Sequence, residues 1–163
     1  MTLKYTLEFF DYWHLSSGLS AGAKLDSTVV KDENNLPYAS GKTMKGLVRE
    51  MTEEFGEIGF LHQAYFSNAT LNADLQEQIV SNKLQDNLYD IIASTKIDSD
   101  GIAVDNSLRE IEVVVPIILY GEVRDIPEKH IQTLVKSLKL IKRMGLNRNR
   151  GLGRCEFSVE KKK

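Results

Sequence analysis

The sequence predicts an α+β fold in which an antiparallel sheet carries two helices on one face, with inserted helical and hairpin elements. Three observations predict it. Period-two alternation marks both ends of the chain and one stretch in the middle, helical periodicity marks two stretches between them, and the order reads strand, helix, inserted elements, strand, helix, strand. With 163 residues, positions 1–163 suffice for a single domain with a core of its own.

Leu3, Tyr5, Leu7 and Phe9 alternate with Lys4, Thr6 and Glu8, the pattern of a half-buried first strand. Residues 14–42 then read as a long loop with a small hairpin, from His14-Leu-Ser-Ser-Gly18 and Ala21-Gly22-Ala23 through Val29-Val30 to the turn-rich Asp32-Glu-Asn-Asn-Leu-Pro37. Loops of this length in a small domain are site candidates. From Thr43 onward Met44, Leu47, Val48, Met51 and Phe55 form one helical stripe ending near Gly56, while Lys45 and Arg49 share another face.

Residues 57–94 read as an insertion, helical over 71–92 through Leu71, Leu75, Ile79, Leu84, Leu88 and Ile91, with a break near Ser81-Asn82. Asp98-Ser-Asp-Gly101 has the composition of a hairpin turn, so residues 95–110 are expected to project as a ribbon. Residues 111–120 are apolar on both faces apart from Glu112, as in a central strand. Pro127 opens a second helix with the stripe Ile131, Leu134, Val135, Leu138 and Ile141. A last strand places Cys155, Phe157 and Val159 on one face, and the tail 160–163 is expected to fray. This order suits a ferredoxin-like or RNA-recognition-type sheet.

Composition narrows the function classes. The chain is 42% hydrophobic and 27% charged, the balance of a globular protein. Its longest apolar stretch, Val113 to Tyr120, contains Pro116 and is far shorter than the roughly 20 residues of a membrane helix. No secretory leader is recognisable, so no membrane partner and a cytoplasmic location are expected. The lone Cys155 forbids an internal disulfide and a cysteine-based zinc site. The net charge of −2 conceals a segregation, because residues 129–154 hold Lys129, Lys136, Lys139, Lys142, Arg143, Arg148, Arg150 and Arg154 without an acid. Such a basic stretch is either a solvated face or a phosphate-binding one.

The glycine-rich loop favours phosphate. Gly145, Gly151 and Gly153 permit positive φ and close approach of backbone N–H groups, while Asn147, Arg148, Asn149, Arg150 and Arg154 supply donors that a plain turn would not need. Gly41-Lys42-Thr43 is no Walker A motif, because Leu36 stands where that motif requires glycine. Its place at a helix N-terminus suits an anion, with Thr43 as a simple cap the plainer reading. His14, His62 and His130 lack metal-site spacing, and Arg109 stands where a calcium loop beginning at Asp98 would need its last acid. Asp26, in the glycine-bearing loop, is either a turn cap or a carboxylate placed to orient a ribose hydroxyl or hold a divalent ion.

Tyr12-Trp-His-Leu-Ser-Ser-Gly18, Leu25-Asp-Ser-Thr-Val-Val-Lys-Asp32 and Leu36-Pro-Tyr-Ala-Ser-Gly-Lys-Thr-Met-Lys-Gly-Leu-Val-Arg49 resemble the N-terminal signature of the RAMP superfamily of CRISPR-associated proteins. The loop Gly145 to Gly153 resembles that family's C-terminal glycine-rich loop, with Leu146-Asn147 interrupting its usual opening. Residues 95–123, with an aspartate-glycine hairpin and Glu112-Val-Val-Val-Pro116, resemble a segment of the backbone subunits of type III effectors, whereas residues 57–94 carry no such signature.

The resemblance implies a backbone subunit that binds guide RNA and complementary target RNA beside other effector subunits and copies of itself. It places Lys42, Thr43, Lys45 and Arg49 at the guide-backbone groove, with the glycine loop adding contacts. It matches Asp26 to the aspartate with which many such subunits cleave target RNA, using a divalent cation such as Mg2+. The competing expectations are a subunit that binds without cutting, a precursor-processing endoribonuclease using His14 as general base, and a small regulatory domain that recognises one phosphate.

Overall fold

In the computed structural model, which describes residues 1–16, 27–56 and 58–160, Leu3–Phe9 forms strand β1 at the heart of a four-stranded antiparallel sheet. On one side β1 pairs with β5 (Ile118–Arg124), on the other with β6 (Cys155–Glu160), and the two-residue strand β2 (Tyr65–Phe66) adds to the far edge of β5. Helices α1 (Gly41–Glu53) and α3 (Ile131–Leu140) cover one face. The alternation expected of β1 sends Leu3, Tyr5, Leu7 and Phe9 into the core, where Met44 and Val48 of α1 and Leu134 and Leu138 of α3 are also buried. Each such side chain contributes about 1.5–3 kcal/mol by leaving water. This is the ferredoxin-like α+β arrangement that the order of elements predicts.

α1 begins before Thr43. Ser40 is the cap, its Oγ accepting the Thr43 N–H at 3.1 Å, and Gly41 opens the helix because a Cβ there would lie 2.0 Å from the Phe66 carbonyl oxygen. The glycine lets the helix start come down on β2. After Pro127 a short 3-10 turn, Glu128–His130, precedes α3.

Two stretches depart from the sequence reading. Over 71–92 only α2 (Ala73–Ser81) is an α-helix, capped by the side chain of Asn72; Gln85–Leu88 is a 3-10 turn, and Tyr89–Ser94 is strand β3. Leu84 and Ile91, counted as part of a buried helical stripe, are 44% and 53% exposed, so their spacing reported no common face. Residues 111–120 are not one strand. β4 (Arg109–Val114) pairs with β3 in a separate ribbon, and the chain enters the main sheet only at Ile118. Pro116, which lacks the N–H that a ladder requires, marks the break.

The ribbon is therefore longer than residues 95–110, running from Tyr89 to Val114 with its tip closed by an Ile97–Ala103 bridge. It is anchored to the end of β1. Trp13 and Val114 exchange backbone hydrogen bonds of 3.1 and 2.8 Å, and the indole of Trp13 stacks on Phe9 at 4.3 Å. Among the described residues no helix is long and apolar enough to cross a membrane. The end of the tail, from Lys161, lies outside them, while Glu160 closes β6.

Candidate nucleic-acid interface

The site begins where β1 runs on into Trp13 and His14. His14 is fully buried; its Nδ1 lies 2.5 Å from the Glu112 carbonyl and must donate to it, so Nε2 accepts from the Ser27 hydroxyl at 3.0 Å. With both ring nitrogens engaged inside the protein, His14 is removed from contact with a substrate, which corrects the expectation of a general base. Glu112, the one acid of an otherwise apolar stretch, ties the same region together. Its carboxylate accepts the Val29 N–H at 3.1 Å and Lys31 Nζ at 2.8 Å, while its own N–H donates to the Ser27 carbonyl at 3.1 Å. Lys31 also lies 4.4 Å over the Tyr89 ring, whose hydroxyl donates to Asn35. Burial, with Glu112 and Asp32 nearby, raises the pKa of that phenol far above its ordinary value. Residues 27–37 are thus latched to the ribbon. Asp26 lies outside the described residues.

The glycine loop rests on this base. Gly145, at φ +93°, packs against the backbone of His14, where a Cβ would lie 2.3 Å from the carbonyl oxygen, and Leu146 N–H donates to that same oxygen at 2.9 Å. Gly153 is equally constrained, since its Cβ would meet the Met144 carbonyl at 2.0 Å and its N–H donates to Tyr12 at 2.8 Å. These two glycines close the neck of the loop, and Gly153 spends its N–H there. Gly151, with nothing within 4 Å of a Cβ, faces open space. Between Asn147 and Gly151 the N–H groups of Arg148, Asn149 and Gly151 have no backbone acceptor among the described residues. This projecting end keeps donors for an anion.

Between loop and ribbon runs a cleft of about 450 Å³. Ile92, Ile111, Leu146 and Leu152 give it an apolar floor, Ser27, Ser94 and Asn147 add polar groups, and Arg109 and Arg150 stand in its walls. No carboxylate belongs to its described lining. An apolar lining beside two cations suits a base or ribose with its phosphates, because the rings can leave water while the charges meet guanidinium donors. Arg109 is the residue that sequence reasoning missed. Its position directly opposite Ser94 carries the signal, a cation at the end of the paired strands nearest the ribbon's tip, but only once the pairing is known.

The helix α1 meets the loop from the other side, where Arg148 Nη2 approaches Glu50 Oε1 at 3.9 Å. The loop and α1 thus meet at Glu50. Lys42 and Arg49 are exposed on α1. Lys45 is not on the loop side: it lies about 140° around the helix from Glu50 at 100° per residue, and its Nζ donates to the Ala64 carbonyl at 3.0 Å. Thr43 is used internally as well, its N–H and hydroxyl both bonded to Ser40 Oγ, and Gly41 N–H donates to Asn68. Of the first three amides of α1, only that of Lys42 stays open among the described residues, a correction to the expected anion site. Arg154, for its part, pairs with Asp11 at 3.2 Å and lies over Phe10.

The open face of the sheet, opposite the helices, is unsuited to phosphate. It presents Glu8, Glu122, Glu156 and Glu160 against Lys4 and Arg124. Among the described residues no three His, Cys, Asp or Glu side chains gather where an ion could be held.

No family model and no curated protein matches the chain. Among solved structures it is similar to a chain of the "Type III-B Cmr-beta bound to cognate target RNA", with a TM-score of 0.71, 10% identity, and 98% of this chain and 97% of that one covered. A chain of the "Type III-B Cmr-beta" in the apo state gives a TM-score of 0.71 at 11% identity over the same shares. At such identity the likeness establishes a shared fold.

Proposed function

We propose that this chain is an RNA-binding backbone subunit of a type III CRISPR effector, one that holds the sugar-phosphate chain of a guide RNA between the glycine loop and the ribbon. The observation that carries the reading is the cleft itself, whose described lining combines Arg109 and Arg150 with Ile92, Ile111, Leu146 and Leu152 and holds no acid. Arg148 and Asn149 continue the track toward α1, which Arg148 meets at Glu50. The RAMP-like segments of the sequence and the fold shared with Cmr-beta support the same assignment. Backbone contacts of this kind position RNA without reading its sequence.

Target cleavage through Asp26 is the finer part of the proposal. Its carboxylate would orient or deprotonate a ribose 2′-hydroxyl for in-line attack on the adjacent phosphate. A bound Mg2+ would stabilise negative charge on the phosphate oxygens. The alternative is a subunit that binds without cutting. Co-purification from the native host with sequencing of bound RNA tests the class, and repeat-derived guides are the expected result. Asp26→Ala separates the two readings: lost cleavage with unchanged guide affinity supports catalysis, whereas no cleavage by the parent assembly supports binding alone.

A further inference from the structure

Three hydrogen bonds close a ring beside the cleft. The Glu112 N–H donates to the Ser27 carbonyl at 3.1 Å, the Glu112 carbonyl accepts from His14 Nδ1 at 2.5 Å, and His14 Nε2 lies 3.0 Å from Ser27 Oγ. Glu112 therefore fixes both the backbone of Ser27 and the imidazole that Ser27 meets. A carbonyl can only accept, so in the neutral ring Nδ1 carries the proton and Nε2 is the acceptor. His14 is fully buried, and the Leu146 N–H donates to its carbonyl at 2.9 Å, so the neck of the glycine loop holds it in place.

This ring sets the polarity of Ser27, which is partly exposed and belongs to the cleft lining. A hydroxyl has one proton and two lone pairs. With the proton committed to His14 Nε2, Ser27 Oγ offers the cleft an acceptor and no donor. A phosphate oxygen, itself an acceptor, is therefore no ligand for it. The same lining holds Arg109 and Arg150 for phosphate, and Ile92 and Ile111 for the apolar face of a nucleotide. Between phosphate and base lies the sugar. A ribose 2′-hydroxyl can donate a hydrogen bond, and a deoxyribose has nothing there to give.

We infer that Ser27 reads the sugar of the strand in the cleft, accepting a hydrogen bond from a ribose 2′-hydroxyl and so selecting RNA over DNA. His14 is the positioning residue, since it holds the serine proton away from the ligand. The inference rests on the RNA-binding reading of the cleft and adds to it a determinant of sugar specificity. Attraction to Arg109 and Arg150 serves either nucleic acid, because the phosphates are the same. A base amino group is the other donor that could meet Ser27, and it would serve RNA and DNA alike.

Short uridine oligomers in ribo, 2′-deoxy and 2′-fluoro form separate these roles by fluorescence anisotropy. Uracil has no amino group, and a 2′-fluorine keeps a ribose-like pucker but cannot donate. The parent chain should bind the ribo oligomer about 3- to 10-fold more tightly than either of the others. Ser27→Ala should lose that margin, move the other two affinities by less than about 2-fold, and leave the salt slope unchanged. Ser27→Thr, which keeps the hydroxyl, should retain the margin. Circular dichroism first shows both variants to be folded, and the comparison of oligomers on the parent stands without them. Equal binding of all three oligomers by the parent, or equal losses on all three in Ser27→Ala, would overturn the inference and leave the RNA-binding reading intact. A parent that binds none of them, or binds them without salt dependence, refutes the effector reading and the inference with it.

Discussion

Replacing Arg109 and Arg150 by alanine removes the two guanidinium groups that face the cleft without an acid in its described lining. Each phosphate contact on a single strand releases condensed counterions and contributes about −0.7 to the slope of log K against log salt. The double variant should therefore bind with a slope less negative by about 1.4. Over a fourfold rise in salt, about 50 to 200 mM, its affinity should fall about 7-fold less than that of the parent, and each single variant about 2.6-fold less. Fluorescence anisotropy with a short labelled single-stranded RNA measures this directly. Lys45→Ala and Arg154→Ala serve as controls, since Lys45 is bonded to Ala64 and Arg154 to Asp11. Their slopes should move by less than about 0.3. An unchanged slope in the double variant, or an equal change in the Arg154 control, would refute the placement of the phosphates.

Further outcomes concern the scaffold. Gly153→Ala forces a Cβ to within 2.0 Å of the Met144 carbonyl at φ +75° and should lower stability by about 2–4 kcal/mol. Gly46→Ala, on open space in α1, should raise it by about 0.5–1 kcal/mol, both read by urea unfolding. Tyr5→Phe should be neutral or stabilising by about 1 kcal/mol, because the buried hydroxyl has no hydrogen-bond partner among the described residues. Burial pushes the Cys155 thiol up to about 12, with Lys142 acting weakly in the opposite sense. The folded state therefore holds a proton that the unfolded chain releases from about pH 9, so stability is fully present below pH 9 and falls as pH rises toward 12. Cys155→Ala should flatten the first part of that decline in alkaline unfolding curves, before the buried Tyr5 and half-buried Tyr89 add theirs.

The four-stranded core was legible because Leu3 to Phe9 and Cys155 to Val159 each bury one face, and a half-buried strand has a period that nothing else mimics. The ribbon was less so. Tyr89–Ser94 pairs on one edge only, with most of its residues exposed, and an exposed strand leaves no alternation to read. Leucines at 84 and 88 instead imitated a helix. Pro116 was visible in the sequence, but a proline at a strand boundary does not say to which sheet each half belongs. In the site, the residue types were legible and their allegiances were not. Gly145 and Gly153 look like Gly151 until His14 and Met144 are placed beside them, and Lys45 looks like Arg49 until the Ala64 carbonyl is found. Arg109 became a cleft residue only through its pairing with Ser94.

Photocrosslinking of bound guide RNA followed by mass spectrometry of the attached peptides tests most directly where the nucleic acid lies. Attachment within the ribbon residues 89–114 and the loop residues 145–153 is the expected result. Attachment confined to β1 and β6, whose outward side chains include Glu8, Glu156 and Glu160, would contradict it.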